Sequence, residues 1–288
     1  MKNTNKNTVN ISISKLHPFE GHPYKVIDNE EMNSLIESIQ QQGILSPLIV
    51  RPMENTNDEY EVVSGHRRLR AAEKAGMKEV PAFIYALDRD SAAIAVVDSN
   101  LHREHILPSE KAFAYKLKME AMSRQGERTD LTSDQVGRKL ETAEIIGQQS
   151  DESKNQVRRY IRLTHLITPV LDMVDEGRIA FTPAVEISYL LPEEQKMLLS
   201  EMEYNDCTPN LSQAQRIKSL SMQGMVTEDR LSAIMCEEKA NQKERIKIPV
   251  ERIRSFFPKD YTTTQIEETI VKLCEAYHRK KLRDRDSR

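Results

Sequence analysis

The sequence contains no tryptophan, and aromatic residues make up only 5% of its 288 positions. So few large rings exclude one deep aromatic core and favour several small, helix-rich ones. Its three cysteines, Cys207, Cys236 and Cys274, stand apart and unpatterned. They exclude a disulfide scaffold, match no zinc spacing and suit a reducing compartment. No apolar run approaches the ~20 residues of a membrane span, and the opening MKNTNKNTVN lacks the apolar core of a signal peptide. The seven histidines form no metal-ligand spacing. No Ser-His-Asp or Cys-His arrangement has supporting context. The formal net charge of -3 excludes a uniformly basic surface, so any nucleic-acid surface must be local. A cytoplasmic protein is expected.

What is present changes character along the chain. ISISKLHPF from Ile11 alternates and predicts a strand. DNEEMNSLIESIQQQG places Met32, Leu35, Ile36 and Ile39 at helical spacing, with Asp28 or Asn29 as cap and Gly43 as stop. ILSPLIVRP, EYEVVS and VPAFIYAL predict three further strands, and SAAIAVVDSNL a helix. From Pro108 long helices take over, the first with Ser109 as expected N-cap and Ala112, Tyr115, Leu117 and Met119 set for packing. Pro183 after Thr182 reads as a first helical residue after its cap. CEEKANQKERIKIP is charged and reads as a linker. A terminal unit follows, with a short strand in RIKIPV, a capping box at Thr264 and Glu267, and a stripe of Ile266, Ile270, Leu273, Cys274 and Tyr277. A unit that small buries such a stripe poorly alone, so a homodimer through residues 244–280 is expected.

Three stretches carry candidate chemistry. In VVSGHRRLRAAEKAG a strand turns at Ser64-Gly65 into a helix whose first residues are His66, Arg67 and Arg68. Free N–H groups at a helix start, a glycine that admits close approach and guanidinium forks make an anion site. The same residues also suit a solvated first turn paired to surface carboxylates. DSNLHREHILPSEKA sets Asn100, Arg103 and Glu104 at a helix junction, as site residues or as caps, and HPFEGHPYKV is a loop able to close over a ligand or merely to turn. TAEIIGQQSDESKNQVRRYIRL reads as a helix-turn-helix with Gly147 in the turn. Val157, Tyr160, Ile161 and Leu163 point inward. Ser153, Lys154, Asn155, Gln156, Arg158, Arg159 and Arg162 are left for the major groove of DNA, or for solvent.

The order of these pieces resembles the ParB partition-protein family (ParB/RepB type). ESIQQQGILSPLIVRP, SGHRRLRAA, SNLHREHILPSEKAFAY and ESKNQVRRYIRL match four family boxes in sequence, over about residues 11 to 200. The resemblance implies an α+β chain in three parts. Residues 1–107 would be a small α/β domain that binds CTP. Residues 108–236 would be an all-α helix-turn-helix domain for double-stranded DNA, with an inverted-repeat site. Residues 237–247 would be a linker and 248–288 a β-α dimerisation unit with a basic tail.

By the same resemblance, Ser64, Gly65, His66, Arg67, Arg68, Asn100, Arg103 and Glu104 form the nucleotide site. Gly65, Arg67 and Arg68 would cradle the triphosphate, Asn100 would approach Mg2+ and the phosphates, and Arg103 would close the site. A ParA-type ATPase is the implied partner, and the implied activity is a CTP-gated DNA clamp in segregation, nucleoid- or plasmid-associated. The alternative is a helix-turn-helix regulator of a mobile element with a vestigial nucleotide domain. Two departures bear on hydrolysis: the family's glutamate in the Gly-Glu-Arg-Arg box is His66, and the acid before the asparagine is Ser99, with Asp98 the nearest substitute. A third, FTPAVEIS in place of Gly-His-Ala-Arg, removes a basic phosphate contact.

Overall fold

A computed structural model describes residues 8–54, 56, 58–101, 103, 105–129, 135–237, 253–254, 256–258 and 261–286. Met1–Glu237 is one compact unit and Glu238–Arg288 a second.

The first unit opens with β1 (Val9–Ser12), a single 3-10 turn (Ile13–Lys15) and β2 (Leu16–Pro18). The stretch expected as one strand is therefore two. Ile11 and Leu16 are both buried, at an odd spacing that one strand cannot place on one face. The chain continues through α1 (Glu30–Gln42), β3 (Leu48–Pro52), β4 (Tyr60–Ser64), α2 (His66–Lys74), β5 (Glu79–Ile84) and α3 (Arg89–Asp98). Asn29 caps α1 through Met32 N–H, and Gly43 ends it at φ 73°.

Sheet order is β1-β5-β3-β4-β2, so β1 and β2 lie on opposite edges. The four steps from Ser12 to Leu16 reach at most about 14 Å, whereas the edges of a flat five-stranded sheet lie about 19 Å apart. The sheet must curl to bring its edges together. One side packs Leu48, Val50, Val62 and Leu69 beneath α1 and α2. The other side packs Val63 with Phe19, Tyr24 and the Ala/Val face of α3 against α4.

The helical part comprises α4 (Pro108–Thr129), α5 (Gln135–Gln149), α6 (Lys154–Leu163), α7 (Thr168–Asp175), α8 (Phe181–Ile187), α9 (Pro192–Tyr204), α10 (Leu211–Met222) and α11 (Glu228–Met235). Ser109 does not cap α4. Pro108 occupies the first helical position, which needs no N–H, and Lys111 N–H already bonds Leu107 O. Ser109 instead donates from N (2.9 Å) and Oγ (2.6 Å) to Asp175. Pro183 is the third residue of α8, whose cap is Ala180, and its missing N–H falls where helix donors are orphaned anyway.

In the second unit α12 (Thr263–Asp286) is capped reciprocally by Thr262 and Gln265, two residues ahead of the expected pair. The expected strand in RIKIPV lies outside the described residues. Among the described residues no helix is long and apolar enough to cross a membrane.

Candidate functional site: a cationic cleft and a basic helix

Gly65 carries the strand-to-helix turn. Its φ of 105° is left-handed, and a Cβ there would press on Leu48 Cγ at 3.1 Å and the Arg68 guanidinium at 3.2 Å. The two arginines that follow do different work. Arg68 folds back and donates to Pro47 O (2.9 Å) and Ser46 O, bracing the chain before β3. Among the described residues Arg67 pairs with Glu31 alone, 3.0 Å away and 72% exposed, so it is available to an anion at little cost.

Around this turn lies a cleft of about 200 Å³. Ser64, Gly65, His66, Arg67, Arg68, Asn100 and Arg103 all line it, from stretches far apart in sequence. Glu104 lies outside the described residues. Five lining residues lie beyond the sequence assignment of the site: His22, Tyr24, Lys25 and Val26 of the loop after β2, and Ser99. The loop is pinned at three backbone N–H groups. Glu20 N donates to Glu61 Oε1 (2.9 Å), Lys25 N to Glu110 Oε1 (2.8 Å) and Phe19 N to His66 Nε2 (3.4 Å). Lys25 Nζ stands between the cleft and α7, 3.1 Å from Asp175 and 3.4 Å from Asp172. Arg103 lies over the Tyr24 ring.

The His22 and His66 rings approach to 3.7 Å between centroids. Burial, then His22 and Arg103, push His66 down to about 3, while a hydrogen bond to the Val62 backbone opposes them. His22 is lowered too, chiefly by burial. Both are neutral at pH 7, and His66 Nε2 accepts from the loop only in that state. The unfolded chain binds the proton near pH 6.5 and the folded chain does not, so stability falls as pH drops below about 6.5. His66 alone should remove about 2 kcal/mol between pH 7 and pH 5. Urea unfolding at both pH values checks this, and His66→Gln, which cannot charge, should flatten the difference.

The donor set does not suit a resident Mg2+. Among the described residues no three His, Cys, Asp or Glu side chains cluster, and none lining the cleft is a carboxylate. Asn100 is mostly occupied with closing α3, its amide donating to Val96 O (2.8 Å) and Ser99 Oγ (3.0 Å). Asp98 does not step in, because it pairs with Lys118, buried to 1% exposure. Lys118 was missed from sequence, although Lys111, Ala114, Tyr115, Lys118 and Met122 already traced one helix face.

On the helical part, Ser150–Ser153 join α5 to α6. Ser153 caps α6 by accepting from Gln156 N (3.2 Å). Gly147 is not in the turn but in the last turn of α5. The carbonyl oxygen of Glu152 occupies the space a Cβ would need, and Glu152 N–H returns to Gly147 O (2.9 Å). Val157 and Leu163 are buried as expected.

The polar residues of α6 divide in two. Lys154 and Asn155 are exposed, with Lys154 3.6 Å from Glu144. Arg158 is half-buried and forms no hydrogen bond or ion pair among the described residues. Arg159 donates to Gln156 Oε1 (3.3 Å) and Thr182 Oγ1 (2.9 Å) over the Phe181 ring. Arg162 donates to Ser188 O (2.7 Å) and Ser188 Oγ (3.2 Å) over Tyr189. The last two tie α6 to α8.

A curled mixed layer that runs directly into a helical block, with a cationic cleft on the first and a basic helix on the second, defines the class of this protein. Residues 1–101 match the ParB N-terminal domain. The Thermus thermophilus chromosome-partitioning protein Spo0J is 32% identical over 69% of this chain and 66% of its own length. The Listeria innocua nucleoid occlusion protein is 29% identical over 68% and 62%. The chain therefore spans about two thirds or less of these relatives' lengths. A crystal structure of C-terminally truncated Caulobacter crescentus ParB complexed with CTP-gamma-S superposes with TM-score 0.32 and 26% identity, over 73% of this chain and 98% of that one. The chain belongs to the ParB family.

Proposed function

We propose that this protein is a DNA-binding partition protein whose N-terminal domain binds CTP and gates a clamp on DNA. One observation carries the reading: seven residues from two separate sequence boxes converge on one small cationic cleft under a pinned loop. The cleft offers phosphate what it needs, namely a helix start, a left-handed glycine and guanidinium groups. Lys25 supplies a physical link between cleft and helices, because a phosphate there competes with Asp172 and Asp175 for the same ammonium. Neither His66 nor Ser99 offers the carboxylate that a hydrolytic step would use.

In this reading residues 1–107 bind nucleotide and 108–236 bind duplex DNA at an inverted repeat, beyond the 237–247 linker residues 248–288 dimerise the chain, and a ParA-type ATPase is the partner. The protein would be cytoplasmic, on nucleoid or plasmid. On α12, Ile266 is buried while Leu273 and Tyr277 are 60% and 68% exposed, which supports a stripe awaiting a second copy.

Calorimetry tests the nucleotide reading: CTP should bind the intact chain, and Arg67→Ala should weaken it by about 1.5–3 kcal/mol, the worth of a hydrogen bond to a charged group. No CTP binding by the wild-type protein would leave the mobile-element regulator. For DNA, Lys154, Asn155 and Arg158 are the proposed readers. Arg158→Ala should cost about 1–3 kcal/mol of affinity at fixed salt with the melting temperature unchanged. Arg162→Ala should lower the melting temperature, because it removes a tie to α8.

A further inference from the structure

The cleft gathers Lys25, Arg67, Arg68 and Arg103 and, among the described residues lining it, no carboxylate. Its neutral side-chain oxygens are the Tyr24, Ser64 and Ser99 hydroxyls and the Asn100 amide, and the Tyr24 hydroxyl donates to Val97 O (3.4 Å). Ser99 Oγ already donates to Val96 O (3.0 Å) and accepts from Asn100. The nearest acid on α3, Asp98, is held by Lys118. Glu110 accepts from two backbone N–H groups, Lys25 and Leu107. A hard divalent cation is ordinarily held by one or two protein carboxylates together with the substrate phosphates. Here it would face four positive side chains and, among the described lining residues, no carboxylate; Glu31, Asp172 and Asp175 pair with Arg67 and Lys25 from outside the lining, and like charges at close range repel strongly.

A fully ionised nucleoside triphosphate meets the opposite situation. Its negative charges match the cationic side chains, and Arg67 and Lys25 are both exposed enough to turn from their surface partners onto it. We infer that this cleft takes the nucleoside triphosphate free of metal, with Lys25, Arg67, Arg68 and Arg103 standing where a divalent cation would otherwise neutralise the phosphates. Lys25 is thereby assigned as a ligand-binding residue. The inference rests on the nucleotide reading above.

The test is calorimetry of the intact chain with CTP, once in EDTA and once in millimolar Mg2+ at matched ionic strength. Binding is expected in EDTA. In Mg2+ the apparent affinity should fall roughly tenfold or more, because the cation withdraws the binding-competent free nucleotide. Lys25→Gln should weaken binding in EDTA, leaving the circular dichroism spectrum unchanged. Affinity in Mg2+ equal to or tighter than in EDTA overturns the inference while leaving nucleotide binding intact. Absence of binding in both buffers overturns the inference and the nucleotide reading together.

Discussion

Replacing Glu61 with alanine is expected to destabilise the first unit by about 3–5 kcal/mol, the cost of leaving a buried charge without its partner. Glu61 Oε2 accepts from Arg51 Nε at 2.7 Å, and both side chains are only 7% exposed. Its other oxygen accepts from Glu20 N–H and so pins the loop that covers the cleft. Among the described residues the Arg51 guanidinium would keep one acidic partner, the longer contact to Glu54 at 3.4 Å and on the surface. The substitution should therefore lower the urea midpoint and weaken nucleotide binding together. Glu31→Ala is the contrast. Its carboxylate is 72% exposed and pairs with Arg67, so stability should move by less than about 1 kcal/mol. Equal effects from the two variants would contradict this ranking.

Gly147→Ala should be nearly as damaging, by a different mechanism. The collision is with a backbone carbonyl, that of Glu152, which no rotamer change can relieve. Overpacking of this kind costs about 1–3 kcal/mol, and the turn between α5 and α6 is where the strain would be released. Gly177→Ala is the contrast: unlike Gly147 it is left-handed, with φ 73°, so alanine strains the backbone there, but nothing lies within 4 Å of the added methyl. The expected result is a lower melting temperature and lost DNA affinity for Gly147→Ala, with DNA affinity retained by Gly177→Ala. Unchanged DNA affinity in Gly147→Ala would show that α6 is not positioned by this turn.

Legibility in the sequence followed the range of the interaction. Asn29 and Gly43 bounding α1 and Gly65 opening α2 are local choices of backbone geometry, and each was readable from its neighbours, whereas Ser153, expected among the DNA-facing residues, caps α6. The division of ISISKLHPF between two sheet edges was not, because which edge a strand joins depends on distant partners: Tyr60 for Leu16, and Glu79 for Ser12. Gly147 was identified but misplaced. Its role is set by the carbonyl of a residue beyond the helix end, not by a left-handed φ.

The site residues show the same division. The cleft assembled from boxes visible in sequence, yet Lys25 reached it only through a loop that sequence left open. Arg159 and Arg162 have the same character as Arg158 in sequence, and only the packing of α8 commits the first two to Thr182 and Ser188.

The central claim is that occupancy of the cleft governs how the protein holds DNA. A genome-wide map of the protein on DNA in its host, made with the wild-type chain and with Arg67→Ala, tests it most directly. The account predicts a wild-type peak with broad shoulders, as expected for loading and sliding, that collapses to a narrow peak in Arg67→Ala. A narrow wild-type peak at a promoter, unchanged by Arg67→Ala, would contradict it.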